Sequence, residues 1–544
     1  MMRQFKKWLK EQLQTIDWKL LVFLILLLNV KFFVKLIAIA FIYIARPNFA
    51  FRQGKRFSFP SFYIWLPTIA IFDLFLFKGF TNTHYLLAVT LSVSIWLICL
   101  LVSHQLQLAA RINTQQVLHN TIRLFFILNI VVSAATILFI IWDAGTVNPY
   151  RYQGMYQKYF ISTGDLIKGI TFDTSVANAI INAAGVLYFL HKKQPALTLL
   201  CMATLLLTGS NFTNIILIAI LLFVFIFHSS REQKSVIVIC IMFLVVFMAK
   251  VSPQNDTYAT KIVDKILGKK NAQQSALIAG TNTDSIITPE QANRNFAAHY
   301  LDSIRIVVAA ERKQQPITAP VLPVATTMVT GGRPVIAEPS IHSQPFQRRH
   351  DTTQMQLALQ HFEKETNATD SSIAGYSSRL PGKAIAFMQT EKYLAQHPKA
   401  ILTGTGAANF SSKVAFRTTA LNINGSYPKR LAYINPAFRE NHLSTYLNFF
   451  AKDVELHSVV NTPNSVYNQL AGEYGVAGIA AFLFGYLLFF GKHVRKYFFV
   501  LPLLLLLCGA FFMDYWLEQL SIVAIIELLL FATLQNKQEK TAVT

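Results

Sequence analysis

Apolar residues fall into ten runs long enough to cross a bilayer or nearly so, around residues 61 to 79, 84 to 103, 120 to 142, 169 to 190, 194 to 209, 211 to 228, 235 to 250, 474 to 491, 497 to 513 and 518 to 535. The region from Ile16 to Ala50 adds more. As a single helix it would bring Lys31 and Lys35 near mid-membrane, at about 2.5 to 3.5 kcal/mol each. As two short tilted spans it would leave both lysines at a boundary. Loop charge favours the pair of helices. His191-Lys192-Lys193, Arg231 with Lys234, Lys492 with Arg495 and Lys496, and Lys537 with Lys540 mark cytoplasmic ends. An even total then keeps the basic N-terminus and the Arg46, Arg52, Lys55, Arg56 loop on the same side. The pattern predicts an all-α, polytopic membrane protein of about twelve spans, with both termini cytoplasmic, residues 104 to 119 inside and a large outer loop.

Composition agrees. At 53% hydrophobic and 14% charged residues, with mean hydropathy +0.40 and net charge +22, the 544-residue chain is too apolar for a soluble protein. Cys99, Cys201, Cys240 and Cys508 all lie in apolar runs, which argues against a disulfide framework or a cysteine metal site. The first residues carry no small-residue cleavage site. Phe5, Trp8, Leu9, Leu13 and Ile16 on one face and Lys6, Lys7 and Lys10 on the other predict a retained amphipathic helix on an anionic leaflet. The expected organisation is this helix over 1–19, spans one to nine over 20–250, the outer loop over 251–472, spans ten to twelve over 473–535, and a cytoplasmic tail over 536–544.

The outer loop holds 22 Lys and Arg against 15 Asp and Glu, a net of +7, which suits an anionic partner. Residues 251–370 are rich in Pro, Thr and Gln and read as a loosely ordered insertion, with a helical stretch at Gln354 to Thr366. From Arg379, positions Ile385, Met388, Tyr393 and Leu394 recur at roughly helical spacing, and His397-Pro398 with the TGTG run ends that helix. The ordered, functional half is expected in 371–472.

Two segments carry a family likeness: SSRLPGKAIAFMQTEKYLAQHPKAILTGTGAANF from Ser377 to Phe410, and TPNSVYNQLAGEYGVAGIAAFLFGYLLFF from Thr462 to Phe490. Together they resemble the O-antigen ligase and polymerase family, whose members act on lipid-diphosphate-linked glycans at the outer face of the bacterial inner membrane. The resemblance implies a GT-C-like, metal-independent glycosyltransferase without cofactor. Its partners would be an undecaprenyl-diphosphate-linked glycan, membrane lipids, and lipid A core, protein or a growing glycan as acceptor. A polymerase of the same family and a non-catalytic or transporting protein for lipid-linked glycan are the alternatives. No nucleic-acid partner, Asp-x-Asp or nucleotide-phosphate loop is indicated.

Such a transfer needs donors for the leaving diphosphate and a base for the acceptor hydroxyl. By resemblance, Arg379 is the diphosphate guanidinium, with Lys383 one helical turn on. Where the family has a second Arg after a Thr-Gly-Ser-like turn, this chain has Asn211; where it has a His before the Tyr and Glu-Tyr-Gly, it has Asn464. Asn hydrogen-bonds but is no base at neutral pH. Arg151 either replaces the missing guanidinium or is an interfacial Arg flanked by Tyr residues. His457, seven residues before Asn464, has the ordinary pKa of a general base. Glu473 is read as a catalytic group or as a carboxylate capping the last-loop helix. Tyr467 and Gln469 are acceptor-groove candidates, and His397 belongs to a helix-ending turn.

Overall fold

The computed structural model describes residues 15–53, 56–57, 59–76, 79–150, 163–252, 380–419, 427–451, 459 and 462–535. Residues 1–14 of the expected N-terminal amphipathic helix, 253–370 of the expected insertion with its Gln354 to Thr366 helix, Arg151, Arg379, His457 and the tail over 536–544 lie outside these residues, and the first described helix starts at Trp18. The described chain is helical apart from a two-residue antiparallel ladder pairing Arg52–Gln53 with Arg56–Phe57.

Among the described residues, four helices are long and apolar enough to cross a membrane: Thr83–Ile112, Gln115–Ala144, Arg231–Val251 and Val466–Gly491. Eight shorter apolar helices accompany them, among them Trp18–Leu27 and Phe32–Ala45. These two form the hairpin expected between Ile16 and Ala50. Lys31 sits at the bend as the residue before the second helix, and the Lys35 ammonium donates to the Leu27 carbonyl (2.8 Å) and to Ser521 Oγ (3.0 Å). A lysine in an apolar helix is tolerable because the bend frees carbonyls to receive it.

Ser175–His191 and Ser521–Leu534 form the centre, buried along nearly their whole lengths. Lipid removes the hydrophobic drive between helices, so close fit must hold them. At Gly185 a Cβ would come within 2.6 Å of the Phe126 ring and 2.9 Å of Cys201 Sγ, which is how close the neighbouring helices approach. The outer helices instead expose Phe72, Phe75, Leu138, Phe139, Ile215, Ile226 and Val245, an apolar surface suited to a bilayer and not to water.

Polar contacts close the two ends differently. At one end Asp17 caps the first helix, receives Arg46 and Asn113 Nδ2 (2.6 Å), and donates its N–H to Thr121; Gln535 reaches the Asn113 carbonyl at 2.6 Å. Residues before the first helix and after the last are thereby fastened together. At the other end, Asn129, Asn178 and Asn182 bond one another and hold residues 167–170 against the Gln115–Ala144 and Ser175–His191 helices. The described residues of 380–419 and the 514–520 turn gather at this second end, where Lys413 meets Glu518 and the charge of Asp173.

Candidate functional site

The helix anticipated after Arg379 runs Gly382–Gln396 and ends at His397, whose ring lies over Tyr393 at 4.2 Å. Its buried face is a departure from the apolar spacing. Lys383, Ala386, Gln389 and Thr390 are buried with Ile385, whereas Met388 is exposed, because the helix packs on a polar layer. In that layer Thr390 donates to Asn468 Oδ1, Asn468 Nδ2 to Ser411 Oγ (2.9 Å), and Ser411 pairs with the Tyr515 hydroxyl at 3.1 Å. His442 stands beside it, its ring 4.3 Å from Phe410; burial pushes its pKa down to about 3, so it is neutral.

The TGTG run meets the last long helix where that helix breaks. Gly475 has φ +59 and ψ −153, and Gly404 has φ +80 and ψ −158, a region essentially restricted to glycine. At Gly404 a Cβ would lie 2.3 Å from the Glu473 carbonyl carbon, so the two backbones cross in contact. The break frees the Gly472 and Glu473 carbonyls, which accept from Thr405 N (2.9 Å) and Gly406 N (3.1 Å). The Glu473 carboxylate accepts from Ala408 N at 2.9 Å and Phe410 N at 3.1 Å. Two expectations are corrected here. The helix starts at Val466, with Ser465 as its N-cap, since the polar residues face a polar layer and need no apolar run. Glu473, fully buried in mid-helix, caps the crossing loop and not its own helix.

Other candidates have specific places. The Lys383 ammonium, 2% exposed, donates to the Thr462 carbonyl (3.2 Å), the Asn464 carbonyl and the Met513 carbonyl (2.9 Å) and lies 5.4 Å from the Phe512 ring. Burial pushes its pKa down to about 7, against the pull of Asp514. An ammonium has three donors and all are engaged, so Lys383 clamps three segments and has none left for a phosphate. Asn464 donates to Asp514 Oδ1 at 3.0 Å. The Tyr467 hydroxyl donates to the Cys508 carbonyl (2.8 Å), tying two helices. Asn211 opens the Asn211–Phe227 helix with its Oδ1 buried and unpaired among the described residues.

Gln469 leads to the chemistry that the sequence did not single out. Its amide donates to Glu518 Oε1 at 2.8 Å, and the Lys413 backbone N–H donates to Glu518 Oε2 at 2.8 Å. Lys413 begins a single helical turn, Lys413–Arg417, capped by Ser412, so the ammonium and guanidinium are four residues apart on one face. Neither forms a salt bridge with a described residue. Burial pushes the Lys413 pKa down, with Asp514, Asp173 and Glu518 opposing and Arg417 adding to the shift. Glu518, on the turn between two helices and 7% exposed, is raised to about 7 by burial, with the Lys413 N–H and charge, Gln469 and Arg417 pulling it back. Asp173 accepts from Ser521 Oγ (3.4 Å), which in turn receives Lys35. Lys413 and Arg417, without a salt-bridge partner among the described residues, therefore form a cluster with a carboxyl poised near neutrality, and Arg417 also bonds the Tyr427 side chain. That is the equipment for holding an oxyanion beside a proton acceptor. A signal existed in SSKVAFR, where a Ser cap precedes Lys and Arg at helical spacing.

Comparison with protein-family models, with curated proteins and with solved structures gives no match for this chain.

Proposed function

We propose that the chain is an inner-membrane glycosyltransferase of the O-antigen ligase kind, its twelve apolar helices spanning the bilayer and both termini cytoplasmic. The polar end then faces outward and takes a glycan from undecaprenyl diphosphate. The observation that carries the reading is the Lys413–Arg417 pair, without salt-bridge partners among the described residues, beside Glu518. Arg417 and Lys413 hold the diphosphate while the bond from the anomeric carbon to the phosphate oxygen breaks. The acceptor oxygen attacks from the opposite face, and Glu518 takes its proton. Undecaprenyl diphosphate leaves and the configuration inverts. Ligase and polymerase share this chemistry and differ in the acceptor.

One feature favours a second reading, transport of lipid-linked glycan: transporters often bind substrate at broken helices, and the last long helix breaks at Gly475. Against it, the carbonyls freed at Gly472 and Glu473 both accept from the 405–406 backbone.

The test is transfer by the purified full chain in proteoliposomes, using an undecaprenyl-diphosphate-linked oligosaccharide and a sugar acceptor. Arg417→Ala is expected to lower turnover about 100- to 1,000-fold. Near-parental transfer by that variant would remove the pair from the site, and flip of the lipid across the bilayer without glycan transfer would favour transport. Cysteines at Gln396 and Glu232 test orientation: an impermeant reagent should label the first from outside and not the second.

A further inference from the structure

At the end of the bundle away from the Lys413–Glu518 cluster, a cavity of about 510 Å3 opens between the end of the Ser175–His191 helix, the turn after Asn211–Phe227, and the start of Val500–Met513. His191, Lys193, His228 and Ser229 line it, with Phe499 as its apolar wall. Ring contacts fix the imidazoles: His191 lies 4.3 Å from Phe499, and His228 stacks on Phe498 at 4.1 Å. The helix that starts beside the cavity closes its own N-terminus with a Ser230–Gln233 capping box, and the Gln233 amide donates to the Leu190 carbonyl at 2.9 Å. Ser230 and Gln233, which also line the cavity, are thereby engaged with each other and with Leu190. Lys193 has its side chain 62% exposed and one acidic neighbour, Glu232, at 4.0 Å. On its rim, Ile226 and Phe227 are each 66% exposed.

We propose that this cavity binds the phosphate of an anionic phospholipid, with the acyl chains laid along Ile226 and Phe227. The chemistry is two-part. Lys193 supplies positive charge, the imidazole N–H groups supply further donors for a phosphodiester, and the apolar rim supplies contact that a free phosphate could not use. Lys192, Arg231, Lys492, Arg495 and Lys496, neighbours in sequence of the lining residues, enrich the same end in positive charge. The proposal does not depend on the activity assigned above, because the two sites are at opposite ends of the bundle.

Binding is read on the detergent-purified full chain by native mass spectrometry, titrating phosphatidylglycerol, phosphatidylcholine and inorganic phosphate in separate arms. Phosphatidylglycerol is expected to bind at least tenfold more tightly than phosphatidylcholine. Lys193→Gln should weaken it about fivefold, the loss of one membrane-surface charge, and Lys193→Gln with His228→Gln should weaken it further. Lys193 is exposed, so the single variant keeps the fold and remains informative if the double variant does not. Equal affinity for the two lipids, or an unchanged Lys193→Gln, overturns the site. Inorganic phosphate binding as tightly as phosphatidylglycerol overturns the lipid assignment in favour of a free oxyanion.

Discussion

Two buried carboxyls, Glu473 and Glu518, each accept two N–H donors and differ in what else surrounds them. Around Glu473 donors and acceptors are closely matched: two backbone N–H groups reach the carboxylate, and two more reach the carbonyls freed by the helix break. Around Glu518 the matching stops short, because Gln469 and the Lys413 N–H satisfy the carboxyl while the Lys413 ammonium and Arg417 guanidinium form no salt bridge with a described residue. Saturated hydrogen bonding in a low-dielectric interior makes a joint; incomplete pairing of charge makes a site.

The widest expected separation between the two comes from Glu518→Gln. Removing a general base should lower transfer about 100- to 10,000-fold. The base must be ionised, so parental turnover should rise with pH through about 7 and then level, and the variant should lose that limb. Stability runs the other way. The folded pKa, raised from 4.5 to about 7, means that the neutral carboxyl's contribution is full below about 4.5 and is lost as pH rises through 7. A Gln there should leave the thermal midpoint at pH 8 equal to or above the parent's. A lower midpoint would make Glu518 a joint as well.

Gly404→Ala should act mainly on stability. Its Cβ would meet the Glu473 carbonyl, and the backbone is glycine-only, for a cost of about 2 to 4 kcal/mol read as a lowered unfolding midpoint. Little change would mean that the crossing is not tight. Glu473→Gln is the milder break. The amide can still accept one N–H but turns its own NH2 toward the other, for a cost of about 1 to 3 kcal/mol in stability. Turnover per folded molecule should change far less than in Glu518→Gln, and an equal loss would erase the distinction.

The apolar pattern made most of the framework legible. The hairpin between Ile16 and Ala50 follows from what a lysine costs in lipid, and the helix after Arg379 ends at His397 as its Pro and Gly residues require. The start of the last long helix at Val466 was hidden, because a helix buried against polar neighbours carries no apolar period. The Lys413–Glu518 cluster was hidden for another reason. Lys413 and Glu518 are 105 residues apart, and the apolar run from 518 onward masks Glu518 as the edge of a span. Family likeness drew attention to Lys383, whose donors all go to carbonyls, and to Glu473, which is a joint.

The Lys383 clamp sets an order of events during synthesis. Two of its acceptors lie at Thr462 and Asn464 and the third at Met513, all made after the helix that carries the lysine. Lys413 likewise awaits Glu518. The segment holding the cluster therefore cannot dock when it emerges; it must stay unassembled until the last two helices have been inserted. A nascent chain stopped before Met513 would display a basic, undocked segment open to proteases and chaperones, and completion of the C-terminal hairpin would both fasten the fold and create the cluster.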